Sequence, residues 1–275
     1  MNASLKPKVS KIKVKTWLEE ASFLLKKSNV ASARLDAEII LCDALDVSRE
    51  WLIAHSEDEI DKNTGKDALS RRYEREPLAY IRGFKEFYGR NFTVNNTVLI
   101  PRPESEIIIE ILKEIVLDTQ TIIDVGTGSG ALAITAKLEL PQANVFASDI
   151  SEEALSIAKQ NAQKLNANVI FLKSDLLKET NDAYSVIVAN LPYVDRNWDY
   201  SFETKFEPSL ALFAKDNGLD LIKKLIAQTQ KKLPSGGFLL LEADPRQHQV
   251  VLDFAKEHGL SLFKKQDFIV VLKKK

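Results

Sequence analysis

The sequence predicts an α/β protein, with a Rossmann-like, doubly wound and mostly parallel sheet behind a small all-helical N-terminal domain. Three observations carry this expectation. After Pro101 short β-rich runs alternate with helical stretches, the pattern of successive βαβ units. From about Lys15 to Ala79 apolar residues recur at helical spacing, as at Leu35, Ile39 and Cys42, and glycine occurs only at Gly65. Between Gly83 and Ile100 strand and turn signals take over: Phe84, Phe87 and Tyr88 precede Gly89, and Phe92, Val94, Val98 and Leu99 follow it. A chain of 275 residues ordinarily holds about two domains. The expected organisation is a helical domain over 1–80, a β-hairpin linker over 81–100 and an α/β domain over 101–275.

Taken in order, Ser32 before Ala33–Leu45 and Ser48 before Trp51–Ala54 are N-cap candidates that divide the first domain into short helices. Beyond the hairpin, Thr121–Val125, Asn144–Ser148, Val169–Lys173, Tyr184–Ala189 and Gly237–Glu242 read as strands. Helical patterns near Ala131–Leu138, Glu152–Leu165 and Leu219–Lys232 separate them. Ligands of such sheets sit at the carboxyl ends of the strands, where the strand order reverses.

Composition narrows the function classes. Hydrophobic residues make up 45% and charged residues 28%, which argues against disorder and fibrous architectures. A formal net charge of −1 leaves no global positive field to recruit nucleic acid, so direct nucleic-acid binding is not expected. The one cysteine, Cys42, has no intrachain partner, and its apolar neighbours suggest a buried thiol in a reducing compartment. Lys6, Lys8, Lys11, Lys13 and Lys15 have no apolar run behind them, and no apolar stretch reaches bilayer length. A cytoplasmic address without membrane contact is expected. That run and Lys264, Lys265 and Lys273–Lys275 read as solvated tails. His55, His248 and His258 are scattered, so no metal site is expected.

The segment Asp124-Val125-Gly126-Thr127-Gly128-Ser129-Gly130 lies between the first strand and its helix. Glycines there let the backbone turn tightly and approach a ligand, while the helix N-terminus offers free N–H groups to an anionic end. Asp149 closes the second strand, where a carboxylate can accept both hydroxyls of a ribose. Asp175 and Leu176 follow the third strand, placed to accept from an adenine amino group and to cover its ring; Asp175 is equally a helix cap. The pair of loop and acid signals a nucleoside cofactor without identifying it, since Gly126, Gly128 and Ala131 also satisfy the dinucleotide pattern.

The fourth strand runs directly into Asn190-Leu191-Pro192-Tyr193. A planar nitrogen is a poor nucleophile and has to be held in line with its electrophile. The side-chain oxygen of Asn190 and the backbone carbonyl of Leu191 can each accept one N–H of a substrate –NH2. These bonds aim its lone pair at an electrophilic methyl group and oppose the charge that grows on nitrogen. Pro192 fixes the backbone and Tyr193 offers an aromatic face. The bland alternative is a strand ending in a proline turn, with Asn190 satisfying backbone groups and Tyr193 in the core.

With these motifs the chain resembles the peptide chain release factor N5-glutamine methyltransferases over nearly its whole length. The resemblance also rests on Arg75-Glu76-Pro77-Leu78-Ala79-Tyr80-Ile81 with Gly83 and Phe87, on Leu99-Ile100-Pro101-Arg102-Pro103-Glu104-Ser105-Glu106, and on Phe206-Glu207-Pro208-Ser209-Leu210-Ala211-Leu212. It implies a seven-stranded class I methyltransferase domain behind a helical substrate-recognition domain, with S-adenosyl-L-methionine as cofactor. The implied substrate is the glutamine of the Gly-Gly-Gln loop of release factors. By position, Gly126, Thr127, Gly128, Ser129, Gly130, Asp149, Asp175, Leu176 and Asn190 would contact the cofactor. Asn190, Leu191, Pro192 and Tyr193 would hold and activate the glutamine, and Arg102, within Pro101–Glu104, would line the cleft from the linker side and meet the substrate. Two positions depart from the family. Leu191 stands where the family usually has proline, a form shared with rRNA adenine dimethyltransferases, and Lys264–Val270 lacks the usual glycine and arginine of the last hairpin.

The alternative reading is an amino-group methyltransferase acting on adenine or cytosine of RNA or DNA, whose planar nitrogens the same acceptors would hold; it calls for a basic surface. An NAD-dependent oxidoreductase accounts for the glycine loop but not for Asn190–Tyr193; a non-catalytic binding module would keep the cofactor fold and hold a partner with its N-terminal domain, but no motif is eroded as that reading requires.

Overall fold

In the computed structural model, which describes residues 10–117, 119–180 and 183–275, the chain divides into two units, residues 1–82 and 83–275. Lys6 and Lys8 of the basic run lie outside the described residues. No described helix is long and apolar enough to cross a membrane.

The first unit is built from α1 (Val14–Lys27), α2 (Ala33–Leu45), α3 (Arg49–Ala54), α4 (Lys66–Tyr73) and α5 (Leu78–Arg82). Two short strands that helical spacing did not predict, β1 (Lys11–Lys13) and β2 (Glu59–Asp61), pair antiparallel. Helix α1 buries Val14, Trp17, Leu18, Ala21 and Leu25, a stripe at helical spacing, in one cluster with Ala37, Ile40 and Leu41 of α2. Each such large side chain contributes about 1.5–3 kcal/mol of burial. The predicted helical period of α2 is present, but its phase is not the one Leu35, Ile39 and Cys42 suggest: Leu35 is exposed and the other two are half-buried. The helix turns Asp36 inward, where the carboxylate accepts from Arg72 Nε at 2.7 Å in a buried ion pair. Cys42 is therefore only partly covered, and that burial still pushes its thiol pKa up. Ser48 caps α3 by accepting from Trp51 N at 3.3 Å, whereas the Ser32 side chain makes no cap bond.

The second unit opens with the predicted hairpin, β3 (Phe84–Phe87) and β4 (Arg90–Thr93), turning through Tyr88 and Gly89. Both turn residues have positive φ (51° and 70°), as a two-residue hairpin matched to strand twist requires. A seven-stranded sheet follows, formed by β5 (Thr121–Val125), β6 (Asn144–Asp149), β7 (Ile170–Lys173), β8 (Val186–Ala189), β9 (Phe238–Glu242), β10 (Leu260–Gln266) and β11 (Ile269–Lys274). Its order is β10-β11-β9-β8-β5-β6-β7, parallel from β9 to β7 and antiparallel at β11 and β10. Helices α6 (Glu106–Ile115), α7 (Ala131–Glu139), α8 (Glu152–Lys164), α9 (Ser209–Leu212), α10 (Asp220–Lys232) and α11 (His248–Glu257) complete the unit.

Alternate strand residues divide between two cores. Ile122, Val186, Val188 and Leu240 pack with Ile108, Leu112 and Ile134, while Ile123, Ile187, Leu239 and Leu241 pack with Ile222, Leu225 and Ile226. Strands covered on both faces read as continuous apolar runs, which is why β8 and β9 stood out in the sequence. At the sheet edge β10 places Lys264, Lys265 and Gln266 in its second half, Lys264 paired with Glu114, and these polar residues interrupt its apolar pattern. β5 pairs with β6 on one side and β8 on the other, so the strand order reverses at β5, and the ends of β5, β6 and β8 frame a crevice.

Candidate active site

At the end of β5 the chain enters the glycine loop. Gly126 and Thr127 donate their N–H groups to Ser148 O at 2.8 and 2.9 Å, which ties the loop to the end of β6. Two of its glycines have visible steric reasons. A Cβ on Gly126, at φ 74°, would lie 2.9 Å from Leu191 Cδ2, and one on Gly130, at φ 82°, would lie 2.8 Å from Ile134 Cδ1 and 3.1 Å from Ala158 Cβ. The first brings loop and Asn190 segment into contact; the second lets α7 and α8 approach.

Asp149 is oriented by two backbone donors: Gly128 N reaches Oδ2 at 2.9 Å and Ser151 N reaches Oδ1 at 2.9 Å. Burial raises its pKa, against the pull of these N–H groups. Its remaining acceptor capacity is available to a diol. Beneath the loop, Thr127 Oγ1 donates to Asp124 Oδ2 at 2.6 Å, and complete burial pushes the Asp124 carboxyl up to about 7.

The parallel register Ala189↔Leu241 places Asn190 beside Glu242 at the next step of both strands. Asn190 Nδ2 donates to Glu242 Oε2 and to Ser105 Oγ, each at 2.9 Å. Ser105 Oγ donates to Glu242 Oε2 at 2.5 Å, and the Tyr193 hydroxyl donates to Glu242 Oε1 at 3.1 Å. Burial, followed by the nearby Glu242 charge, raises the Tyr193 pKa; burial raises that of Glu242 too. With its nitrogen spent on these partners, Asn190 has Oδ1 left as acceptor. Behind the segment, Gln247 Nε2 donates to Tyr193 O and Asn217 O, both at 2.8 Å.

These elements surround one cleft, predominantly apolar with a few convergent polar groups, the character of a small-molecule site. Gly126, Thr127, Gly128, Ser129, Asp149, Asp175, Leu176, Asn190, Leu191, Pro192 and Arg102 all line it. Gly130 and Tyr193 do not: Gly130 serves helix packing, and the Tyr193 hydroxyl is engaged by Glu242. Arg102 is held against the wall by Glu207, whose buried carboxylate accepts from Nη2 at 2.6 Å and from Ile100 N at 3.2 Å. Leu176 takes the left-handed conformation, φ 57°. Pro101 and Ser105 also line the cleft, whereas Glu104 does not.

Ser105, Glu207, Glu242 and Gln247 were not singled out as site residues in the sequence. Glu242 left a faint signal, as a charge closing an apolar strand, and Glu207 stood in a motif without an assigned role. Among the described residues no group of three or more His, Cys, Asp and Glu side chains is arranged to hold a metal.

Comparison with known proteins agrees with this geometry. Residues 16–83 match the PrmC N-terminal domain and residues 103–206 the methyltransferase small domain. Among solved structures, a methyltransferase from Pyrococcus furiosus superposes with a TM-score of 0.54 at 20% identity, covering 75% of this chain and 96% of that one. The 16S rRNA N2 G1207 methyltransferase of T. thermophilus gives 0.52 at 15% identity, covering 70% of this chain and 49% of that one. The second unit thus has the class I methyltransferase fold. In sequence, the chain is 40% identical over 245 residues to the release factor glutamine methyltransferase of Koribacter versatilis (strain Ellin345), covering 84% of this chain and 87% of that protein. The corresponding protein of Neisseria gonorrhoeae (strain ATCC 700825 / FA 1090) is 38% identical over 237 residues, 83% and 86% of the two chains. Similarity of this extent across both units establishes that the chain belongs to the release factor glutamine methyltransferase family.

Proposed function

We propose that this chain transfers the methyl group of S-adenosyl-L-methionine to the side-chain amide nitrogen of the glutamine in the Gly-Gly-Gln motif of peptide chain release factors. The observation that carries the reading is the orientation of Asn190. Its Nδ2 is turned to Glu242 and Ser105, which leaves Oδ1 to accept from a substrate –NH2 at the wall of the cleft.

S-adenosyl-L-methionine supplies an electrophilic methyl group when bound. Of the residues lining the cleft, Asp149 would accept from the ribose hydroxyls, Gly126, Thr127, Gly128 and Ser129 would hold the cofactor, and Asp175 and Leu176 would meet the adenine. Asn190 Oδ1 and the Leu191 carbonyl accept the two N–H bonds of the glutamine amide, which turns its lone pair toward the methyl group. They also oppose the positive charge that develops on nitrogen, the point at which electrostatic preorganisation lowers a barrier most. Pro192 holds this backbone in place, and Arg102, positioned by Glu207, contacts the substrate. The first unit recognises the release factor, and the second, which includes the hairpin and the cleft-lining residues that follow it, binds the cofactor and catalyses. The enzyme works in the cytoplasm, where release factors act, without nucleic acid or membrane as a direct partner.

The test is transfer of labelled methyl from S-adenosyl-L-methionine to purified release factor, beside a factor whose Gly-Gly-Gln glutamine is changed and beside naked rRNA. Label on the intact factor alone is the expected result. Label on the RNA would replace this reading with the nucleic-acid one, and label on the changed factor would move the acceptor to another residue.

A further inference from the structure

A primary amide is nearly symmetric in shape, so the direction in which Asn190 points is decided by what surrounds it. On its inner side stands Glu242, 2% exposed, at the end of β9. Three donors converge on its two oxygens: Ser105 Oγ and Asn190 Nδ2 at Oε2, and the Tyr193 hydroxyl at Oε1. With three donors converging on it, the Glu242 carboxyl group acts here as an acceptor, so it selects the NH2 edge of Asn190 and takes the Ser105 hydroxyl proton. That leaves the Ser105 oxygen free to accept from Asn190 as well, at 2.9 Å. The polarities of the group follow from the acceptor role of Glu242.

We infer that Glu242 is the positioning residue of the site: by accepting from Asn190, Ser105 and Tyr193 it holds the Asn190 carbonyl toward the cleft and makes the cleft select an –NH2 donor over an acceptor. The inference rests on the proposed glutamine substrate for its consequence, but not for the orientation itself. Glu242 acts through Asn190 and lies across the strand pair from it. An apolar side chain of similar length at 242 removes the selection, because Ser105 alone accepts and donates equally well. A glutamine at 242 retains one acceptor oxygen for Asn190 and Ser105, while its NH2 meets the Tyr193 hydroxyl, which then accepts.

The experiment compares Glu242→Met with Glu242→Gln in the full chain. The readouts are S-adenosyl-L-methionine affinity, methyl transfer to release factor, and the side-chain amide signal of Asn190 in 15N-labelled protein. Glu242→Met should bind the cofactor within about threefold of the unsubstituted protein, yet lose on the order of 100-fold in turnover. Glu242→Gln should recover at least about tenfold of that loss. The Asn190 NH2 protons should exchange slowly with water in the unsubstituted protein and in Glu242→Gln, and rapidly in Glu242→Met. Equal turnover for Met and Gln would reduce Glu242 to a packing residue and overturn the inference. Rapid exchange in the unsubstituted protein would overturn it too, and that arm stands even where Glu242→Met fails to fold. Slow exchange in a protein that methylates no release factor would sustain the orientation and refute the substrate.

Discussion

Gly218 lies in the turn before α10, at φ 82°, directly behind the Asn190–Tyr193 segment. A Cβ placed there would sit 1.9 Å from Tyr193 O, 2.6 Å from Tyr193 C and 2.5 Å from Gln247 Nε2. Gly218→Ala therefore imposes two costs. The left-handed backbone alone costs about 1–2 kcal/mol for an L-residue. Relief of the contact then requires the Tyr193 carbonyl to retreat by roughly 1 Å, which strips the buried Gln247 amide of a hydrogen bond and adds about 1–3 kcal/mol. Gly236, at φ 80° with nothing within 4 Å of its Cβ position, provides a matched control that carries the first cost only. In thermal unfolding Gly236→Ala should lower the Tm by roughly 2–6 °C and Gly218→Ala by roughly 6–15 °C. Turnover should fall on the order of 100-fold in Gly218→Ala alone, because a shift of about 1 Å reaches the residues that hold the substrate nitrogen. If the two variants melt within 2 °C of each other and turn over alike, the coupling of this turn to the site is refuted.

Asp149→Ala should weaken S-adenosyl-L-methionine binding by about 10- to 100-fold in calorimetry, the value of hydrogen bonds to a charged acceptor. Arg72→Met should destabilise the protein by about 3–5 kcal/mol in denaturant titration by stranding the Asp36 carboxylate, and adding Asp36→Leu should restore much of the loss. Asp124, with a carboxyl pushed up to about 7 by burial, favours folding in its protonated form. Its contribution is fully present below about 4, the ordinary unfolded value, and is lost as pH rises to about 7, with a slope approaching 1.4 kcal/mol per unit. Asp124→Asn should remove that slope, and equal pH dependence of the two proteins between pH 4 and 7 would contradict the assignment.

The site was legible where it is contiguous. Gly126–Gly130 and Asn190–Tyr193 announce themselves because a strand end, a tight turn and a set of acceptors fall within a few residues of one another. Thr121–Val125 matched β5 residue for residue, since a strand covered by a core on each face leaves, after Thr121, no polar residue in its run except Asp124. Where partners come from distant segments the sequence was silent. Ser105 and Glu242 are separated by 137 positions, and no local pattern distinguishes a carboxylate that gathers three donors from one that ends a strand in water. The phase of α2 failed for the same reason: Asp36 is inside only because Arg72, 36 positions on, meets it. Tyr193 was expected to present its ring to the substrate, and the hydroxyl that makes it polar is what turns it to Glu242.

Asn161 of α8 completes the picture from the opposite side. Its side chain accepts from Thr93 N at 2.7 Å and donates to Thr93 O and to Ser129 O, both at 2.9 Å, so a single amide stands in for a neighbouring strand along β4 and anchors the glycine loop as well. The loops it closes are 68 and 32 residues long. Closing them fixes non-local geometry whose chain entropy has to be offset before any of the three bonds forms. The glycine cradle is therefore expected to assemble late, after β4 and α8 have found their places. In refolding, recovery of cofactor binding should trail the return of helical signal, and cofactor present from the start should slow unfolding more than it speeds folding.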